Sequence, residues 1–157
     1  MGEIVPADKI SDLVKKAKKA GKSICLVGGC FDILHPGHVI FLEKAKKEGD
    51  ILMVLLESDQ KARQLKGPNR PVHTQTERAL ILSSLRFVDL VVMLPFLPSD
   101  KEYDQIVAKI SPDVIAGVKG YKAAHMQRCA RLTGATLKYV TKIIGNHSSS
   151  RILTNKG

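Results

Sequence analysis

Apolar residues along this chain fall into short unbroken runs, separated by stretches in which they recur every three or four positions. Ile24–Val27 is such a run, long enough for a strand buried on both faces, and Ile51–Leu56, Val88–Leu94, Asp113–Val118 and Thr136–Thr141 read as further strands. Between them the spacing turns helical. Ile10, Leu13, Val14 and Ala17 form a stripe within residues 7–21, leaving Lys15, Lys16, Lys18 and Lys19 for solvent and Gly21 as C-cap. Phe41, Leu42 and Ala45 mark a second helix. Asp59 is positioned to cap a short third one through Leu65. Thr74 followed by Glu77 has the form of a capping box, with Ala79, Leu80, Leu82 and Leu85 as the buried face behind it. Residues 101–110 read as a helix stopped by Ser111-Pro112, and a last helix runs to about Leu132, where Gly134 breaks it.

Strands alternating with helices at this interval imply right-handed βαβ units and a parallel sheet. The expectation is a single doubly wound, Rossmann-like α/β domain over residues 1–157, with a five-stranded parallel sheet and a core from 23 to 153. Neither GxGxxG nor GxxxxGK[ST] occurs, so the dinucleotide fingerprint and the Walker loop are both missing. Ligands in such sheets bind at the carboxyl ends of the strands. That edge holds residues 28–38, 57–59, 118–121 and the C-terminal tail.

Composition narrows the picture only modestly. Hydrophobic residues make up 44% and charged residues 25% of 157 positions, an ordinary globular balance. No apolar run approaches the roughly 20 residues needed to span a bilayer, and the N-terminus has no apolar signal region, so no membrane role is expected. Cys25, Cys30 and Cys129 are odd in number and lack metal-ligand spacing, which fits a reducing cytoplasm. The formal net charge is +10. Four Phe, three Tyr and no Trp leave few platforms on which bases could stack, so steering of anionic small molecules is preferred over nucleic acid.

The chemistry concentrates after the first run. Gly28 and Gly29 let backbone approach a ligand, and His35-Pro36-Gly37-His38 opens a helix, with Pro36 suited to its first position. Glycines leading into a helix N-terminus form a phosphate site, to which two imidazoles add donors. Other readings of the same residues stay open: zinc on Cys30, Asp32, His35 and His38, two histidines that only cap and pack, or an RNA-binding module.

Gly29, Phe31, Asp32, His35, Gly37 and His38 spell GxFDxxHxGH, which resembles the signature of the HxGH nucleotidyltransferases. The resemblance covers about residues 13–153. It is nearest the domain that adenylylates heptose 1-phosphate, and extends to glycerol-3-phosphate cytidylyltransferases and archaeal FAD synthetases. It implies transfer of a nucleotidyl group, AMP favoured over CMP, from a nucleoside triphosphate to a phosphorylated small molecule, with Mg²⁺ accompanying the nucleotide and no dedicated metal cage. His35, His38 and Lys66 would be catalytic. Gly28, Gly29, Cys30, Phe31, Asp32 and Gly37 would line the nucleotide site. Lys66 and Arg70 match a KGxxRPV loop, and Arg78 a position turned towards the acceptor, which Asp32 would also contact. Ser148, Ser149, Ser150 and Arg151 match an ISSTxI-type phosphate motif, with His147 departing from it. Gly120 and Tyr121 match a GGDY-like turn that lacks its acid here. Oligomeric state is left open, a homodimer being the candidate assembly.

Overall fold

The computed structural model describes residues 1–145 and 148–154. Its frame is a six-stranded sheet in the order β1-β4-β3-β2-β5-β6, with every neighbouring pair parallel. The strands are β1 (Glu3–Pro6), β2 (Ile24–Gly29), β3 (Ile51–Leu56), β4 (Leu90–Met93), β5 (Val114–Lys119) and β6 (Thr136–Lys142). Seven helices accompany them: α1 (Ile10–Lys19), α2 (Pro36–Lys46), α3 (Asp59–Lys66), α4 (Gln75–Ser83), α5 (Asp100–Ile110), α6 (Ala123–Thr133) and α7 (Ser149–Thr154).

The sheet has six strands where five were expected. The extra one, β1, lies at an edge beside β4 and buries only Val5 of its four residues. A strand so short, ending in Pro6, has neither an apolar run nor a legible alternation. Its register against Leu90–Met93 comes from the partner. The start of the first helix is also tighter than expected, since Ala7–Lys9 form a 3₁₀ turn before α1 begins. At α3 the cap is Ser58, whose hydroxyl accepts from the Lys61 amide at 3.1 Å, and Asp59 is the first helical residue. The capping box at Thr74 and Glu77 is present at the head of α4. Ser99 and Glu102 form a second box at α5.

Both faces of the central strands are covered, which is why β2, β3, β4 and β5 are largely apolar. Ile24 and Leu26 of β2 face one way with Met53 and Leu55 of β3, packing with residues of α1, α5 and α6. Cys25 and Val27 face the other way with Leu52, Val54 and Leu56, against α2 and α4. The chain winds outward from β2 in both directions, to β3 and β4 on one side and to β5 and β6 on the other. The crevice therefore opens between the carboxyl ends of β2 and β5.

The opposite, amino-terminal edge is finished by carboxylates. Asp113 accepts from the Ile24 amide at 2.8 Å, Asp89 from the Leu52 amide at 2.7 Å, and Asp50 from the Ser23 amide at 2.8 Å. Each satisfies an amide where a central strand begins. Asp113→Ala is thus expected to lower unfolding stability by about 1–3 kcal/mol, the cost of a lost charge-assisted bond to a part-buried amide. Chemical denaturation measures this, and the stabilisation conferred by nucleotide should persist, because the carboxylate sits at the far edge from the crevice.

Candidate active site

A cavity of about 510 Å³ occupies the crevice. β2 supplies its floor, ending in Gly28 and Gly29. A Cβ on Gly28 would stand 2.3 Å from the Tyr103 hydroxyl, so only glycine lets α5 lean over the strand here. Phe31 follows with a φ of 45°, turning the chain into the head of α2. His35 is the N-cap of that helix, Pro36 takes the first turn, and no side chain caps its amides. The imidazoles of His35 and His38 stack with centroids 3.8 Å apart and planes inclined by 30°. Phe31 packs on His38 from 5.4 Å. Gly37 lets the His35 ring lie close over the helix start, since a Cβ there would stand 3.0 Å from that ring.

The stack is electrostatically poised. Burial, then His35 and Lys66, hold His38 down to a pKa of about 4, and its buried Nδ1 has no hydrogen-bond partner. The ring is neutral at neutral pH in the absence of an anion. Burial pushes the Cys30 thiol up, with Lys122 and Lys66 opposing, so it stays protonated. Among the described residues no group of three or more His, Cys, Asp or Glu side chains is placed to hold a metal ion.

Gly28, Gly29, Cys30, Phe31, Asp32, His35, Gly37, His38, Lys66, Tyr121, Ser148 and Ser149 all line the cavity. Five other sequence candidates stand elsewhere. Arg70 is buried, with Nε on Asp32 and Nη2 on the Ser149 hydroxyl at 3.0 Å, so it clasps the tail to the loop after β2 instead of reaching an acceptor. Burial raises the Asp32 carboxyl, but Arg70 and the His73 and Val72 amides outweigh it and leave Asp32 below the usual carboxylate range.

Arg78 is fully buried, neither turned to an acceptor nor exposed on its helix. Its guanidinium donates to the carbonyls of His73 (3.0 Å), Cys30 (2.5 Å) and Glu57 (3.0 Å), and to Asp59 Oδ1 at 2.7 Å. Gly120 holds a φ of +83° in the turn beside Tyr121 and does not line the cavity. Ser150 and Arg151 are exposed, because successive helical residues are about 100° apart and Ser149 takes the inward direction. His147 lies outside the described residues.

Sequence reasoning assigned no role to Glu57, Tyr103, Lys122 or His125, all of which line the cavity. Glu57 was legible as a residue at a strand's carboxyl end. Tyr103 and His125 stack at 4.8 Å from two amphipathic helices, where nothing in the spacing separates them from core. Burial, then Arg128, lowers the His125 pKa. Lys122 adopts a left-handed φ of 49° at the head of α6, and no motif marks it.

A glycine turn feeding a stacked pair of imidazoles at an uncapped helix start is an arrangement suited to holding an anion. Residues 26–152 match the cytidylyltransferase-like family model. The chain belongs to the cytidylyltransferase-like family. It is a nucleotidyltransferase by class. It is 45% identical to the bifunctional protein HldE of Wolinella succinogenes over 118 residues, covering 74% of this chain and 23% of that one. HldE of Sulfurimonas denitrificans is 39% identical over 150 residues, covering 96% of this chain and 30% of its own length. The chain thus spans less than a third of the length of such relatives.

Among solved structures, a lipopolysaccharide core biosynthesis protein from Thermoplasma volcanium superposes with a TM-score of 0.62 at 28% identity, over 81% of this chain and all of that one. Pantoate-beta-alanine ligase from Francisella tularensis shares the fold, with a TM-score of 0.71 at 17% identity, over all of this chain and 74% of its own. No helix among the described residues is long and apolar enough to cross a membrane.

Two outcomes follow from the geometry. Arg78→Met is expected to destabilise the protein by about 3–5 kcal/mol in chemical denaturation, since three carbonyls and a carboxylate lose their donor at once. The pH dependence follows from His38. Its folded pKa is depressed, so the unfolded chain takes up a proton first. Stability is full above about 6.5 and falls as pH drops towards 4. Thermal unfolding of His38→Gln should lack this component, so wild type should lose more stability than the variant across that window.

Proposed function

We propose that this chain transfers the adenylyl group of ATP to a phosphorylated small molecule, a sugar 1-phosphate such as heptose 1-phosphate, and releases pyrophosphate. The stacked His35–His38 pair over a glycine turn, at the uncapped start of α2, carries this reading. The identity to HldE proteins and the likeness to heptose-activating adenylyltransferases support the nucleotide and the acceptor class.

An acceptor phosphate oxygen attacks the α-phosphorus, the bond to the bridging oxygen breaks, and the electron pair leaves on pyrophosphate. Such a step needs alignment and charge neutralisation more than a covalent nucleophile. His35 and His38 grip the α- and β-phosphates. An arriving triphosphate favours the protonated imidazole, so the neutral His38 of the apo protein takes up a proton as charge reaches it. Lys66, at the end of α3, neutralises the acceptor phosphate, while the Ser148 and Ser149 hydroxyls face the departing end. Mg²⁺ would arrive with the nucleotide and add positive charge at its phosphates.

Pyrophosphate release, with ATP or CTP crossed against heptose 1-phosphate, glycerol 3-phosphate and FMN, tests the reading. ATP with the sugar phosphate is expected to give the highest rate; turnover with CTP alone would overturn the adenylyl assignment. In the productive pairing, His38→Ala should lower kcat roughly 10²–10³-fold with a far smaller change in nucleotide affinity, the signature of a donor used in the transition state. Full turnover by that variant would leave the imidazole a packing role only.

A further inference from the structure

Two carboxylates among the described residues line the cavity; Asp32 is bound by Arg70 and two backbone amides, whereas Glu57 has no role in the transfer mechanism above. It follows the last residue of β3, and its amide donates to the Gly29 carbonyl at 3.1 Å, so the strand pairing carries on through it. Its own carbonyl accepts from Arg78 Nη2 at 3.0 Å. With the backbone held on both sides, the side chain has little freedom to swing away. Pleating gives it the same side of the sheet as Met53 and Leu55, the side on which Tyr103 stands. Glu57 is 8% exposed, and its Oε2 is buried with no hydrogen-bond partner.

A carboxyl oxygen withdrawn from water and left unpartnered is unfavourable, and such groups in native proteins call for an explanation. Burial raises the Glu57 pKa, and Lys61, Lys122 and Arg78 offset only part of that rise. None of them donates to the carboxyl in a hydrogen bond; Lys61 Nζ instead reaches the Leu97 carbonyl at 3.4 Å. The cavity therefore holds an acceptor of hydrogen bonds aimed at whatever enters it.

We infer that Glu57 selects the acceptor substrate by accepting hydrogen bonds from its hydroxyl groups, so that the acceptor is a phosphorylated polyol or sugar. This rests on the transferase reading and deepens it. The part of a ligand that meets Glu57 is not a phosphate, because two anions would face each other in a poorly hydrated pocket. Phosphates belong a strand away, at the end of β2 with the two histidines. Strand order separates the remaining ends of the ligands. β3 and β5 flank β2 on opposite sides, Lys66 lies on the helix that follows β3, and Tyr121 lies in the turn after β5. An acceptor phosphate drawn to Lys66 leaves the rest of that molecule in the same cavity that Glu57 and Lys122 line. A hydroxyl donates there without adding charge.

The test uses the whole chain with ATP–Mg²⁺, heptose 1-phosphate, mannose 1-phosphate and their singly deoxygenated counterparts. Pyrophosphate release gives kcat and KM, and thermal shift gives binding. With wild type, removing the hydroxyl that meets Glu57 should lower kcat/KM roughly 10- to 100-fold, the range for a bond to a charged group. Glu57→Gln should show a similar loss with the complete sugar phosphate, carried mainly by KM. It should show little further loss with that deoxy counterpart, and its stabilisation by ATP–Mg²⁺ should match wild type.

Additive losses from Glu57→Gln and deoxygenation would overturn the inference. So would a weakened response to ATP–Mg²⁺ at unchanged acceptor KM, which would move Glu57 to the nucleotide or its metal. The wild-type deoxy series decides the matter even if the variant does not fold, since a flat series overturns the inference by itself. Wild type that responds to ATP–Mg²⁺ but neither binds nor turns over any sugar phosphate overturns this inference and leaves the nucleotidyl chemistry standing. Wild type that ignores both nucleotides overturns the underlying reading.

Discussion

One guanidinium with no exposed surface ties the crevice together. Arg78 projects from α4 and bonds the carbonyl of Cys30 after β2, the carbonyl of Glu57 after β3, and the Asp59 carboxylate at the first position of α3. These are two adjacent strand ends and the helix that leaves one of them. Strand ends are where the ladder stops and backbone groups lose partners, so the crevice would be the loosest part of the sheet without a donor there. A guanidinium suits the task because its several N–H groups diverge in one plane and never lose their charge. Lysine, with one compact ammonium, could not span the same set.

Arg70 does the equivalent work on the opposite side. It joins Asp32, held also by the Val72 and His73 amides, to the Ser149 hydroxyl, so the loop after β2, the loop before α4 and the C-terminal helix meet at one buried ion pair. A buried pair of this kind is weak evidence for stability, because desolvation offsets much of the attraction. Its consequence is geometric. The turn that presents His35 and His38 is bracketed by two charged clasps, so the imidazoles are oriented before any anion arrives, and preorganisation of this sort separates a catalytic donor from an ordinary one.

Both arginines were read from the sequence as ligand contacts, and the reason for the difference is instructive. Lys66 and Arg70 share one loop motif, yet Lys66 lines the cavity and Arg70 turns inward to Asp32. Sequence spacing reports which residues travel together, whereas direction depends on partners far along the chain. The alternating architecture, the glycine turn and the capping box at Thr74 rest on local periodicity and local hydrogen bonds, and all were legible. The edge strand Glu3–Pro6 was not, because its conformation is imposed by β4. Tyr103, Lys122 and His125 reach the cavity only through the packing of α5 and α6, and helical spacing marks such positions as core.

The placement of charge within the crevice bears on what it can hold. Lys66 and Lys122 line it, and the chain carries a net charge of +10, which draws anions towards it from solution. A pocket built only for a polyanion would be lined with cations and amides alone. This one also lowers the basicity of His38 and His125 by burial, and keeps the Cys30 thiol and the Tyr103 phenol neutral. The resting crevice is therefore less positive than its residue types suggest. On the proposed reaction His38 gains charge only opposite an incoming phosphate, so attraction would be greatest where a triphosphate lies. In the proposed transfer, a largely buried recess beside His38 would strengthen each bond made to developing charge.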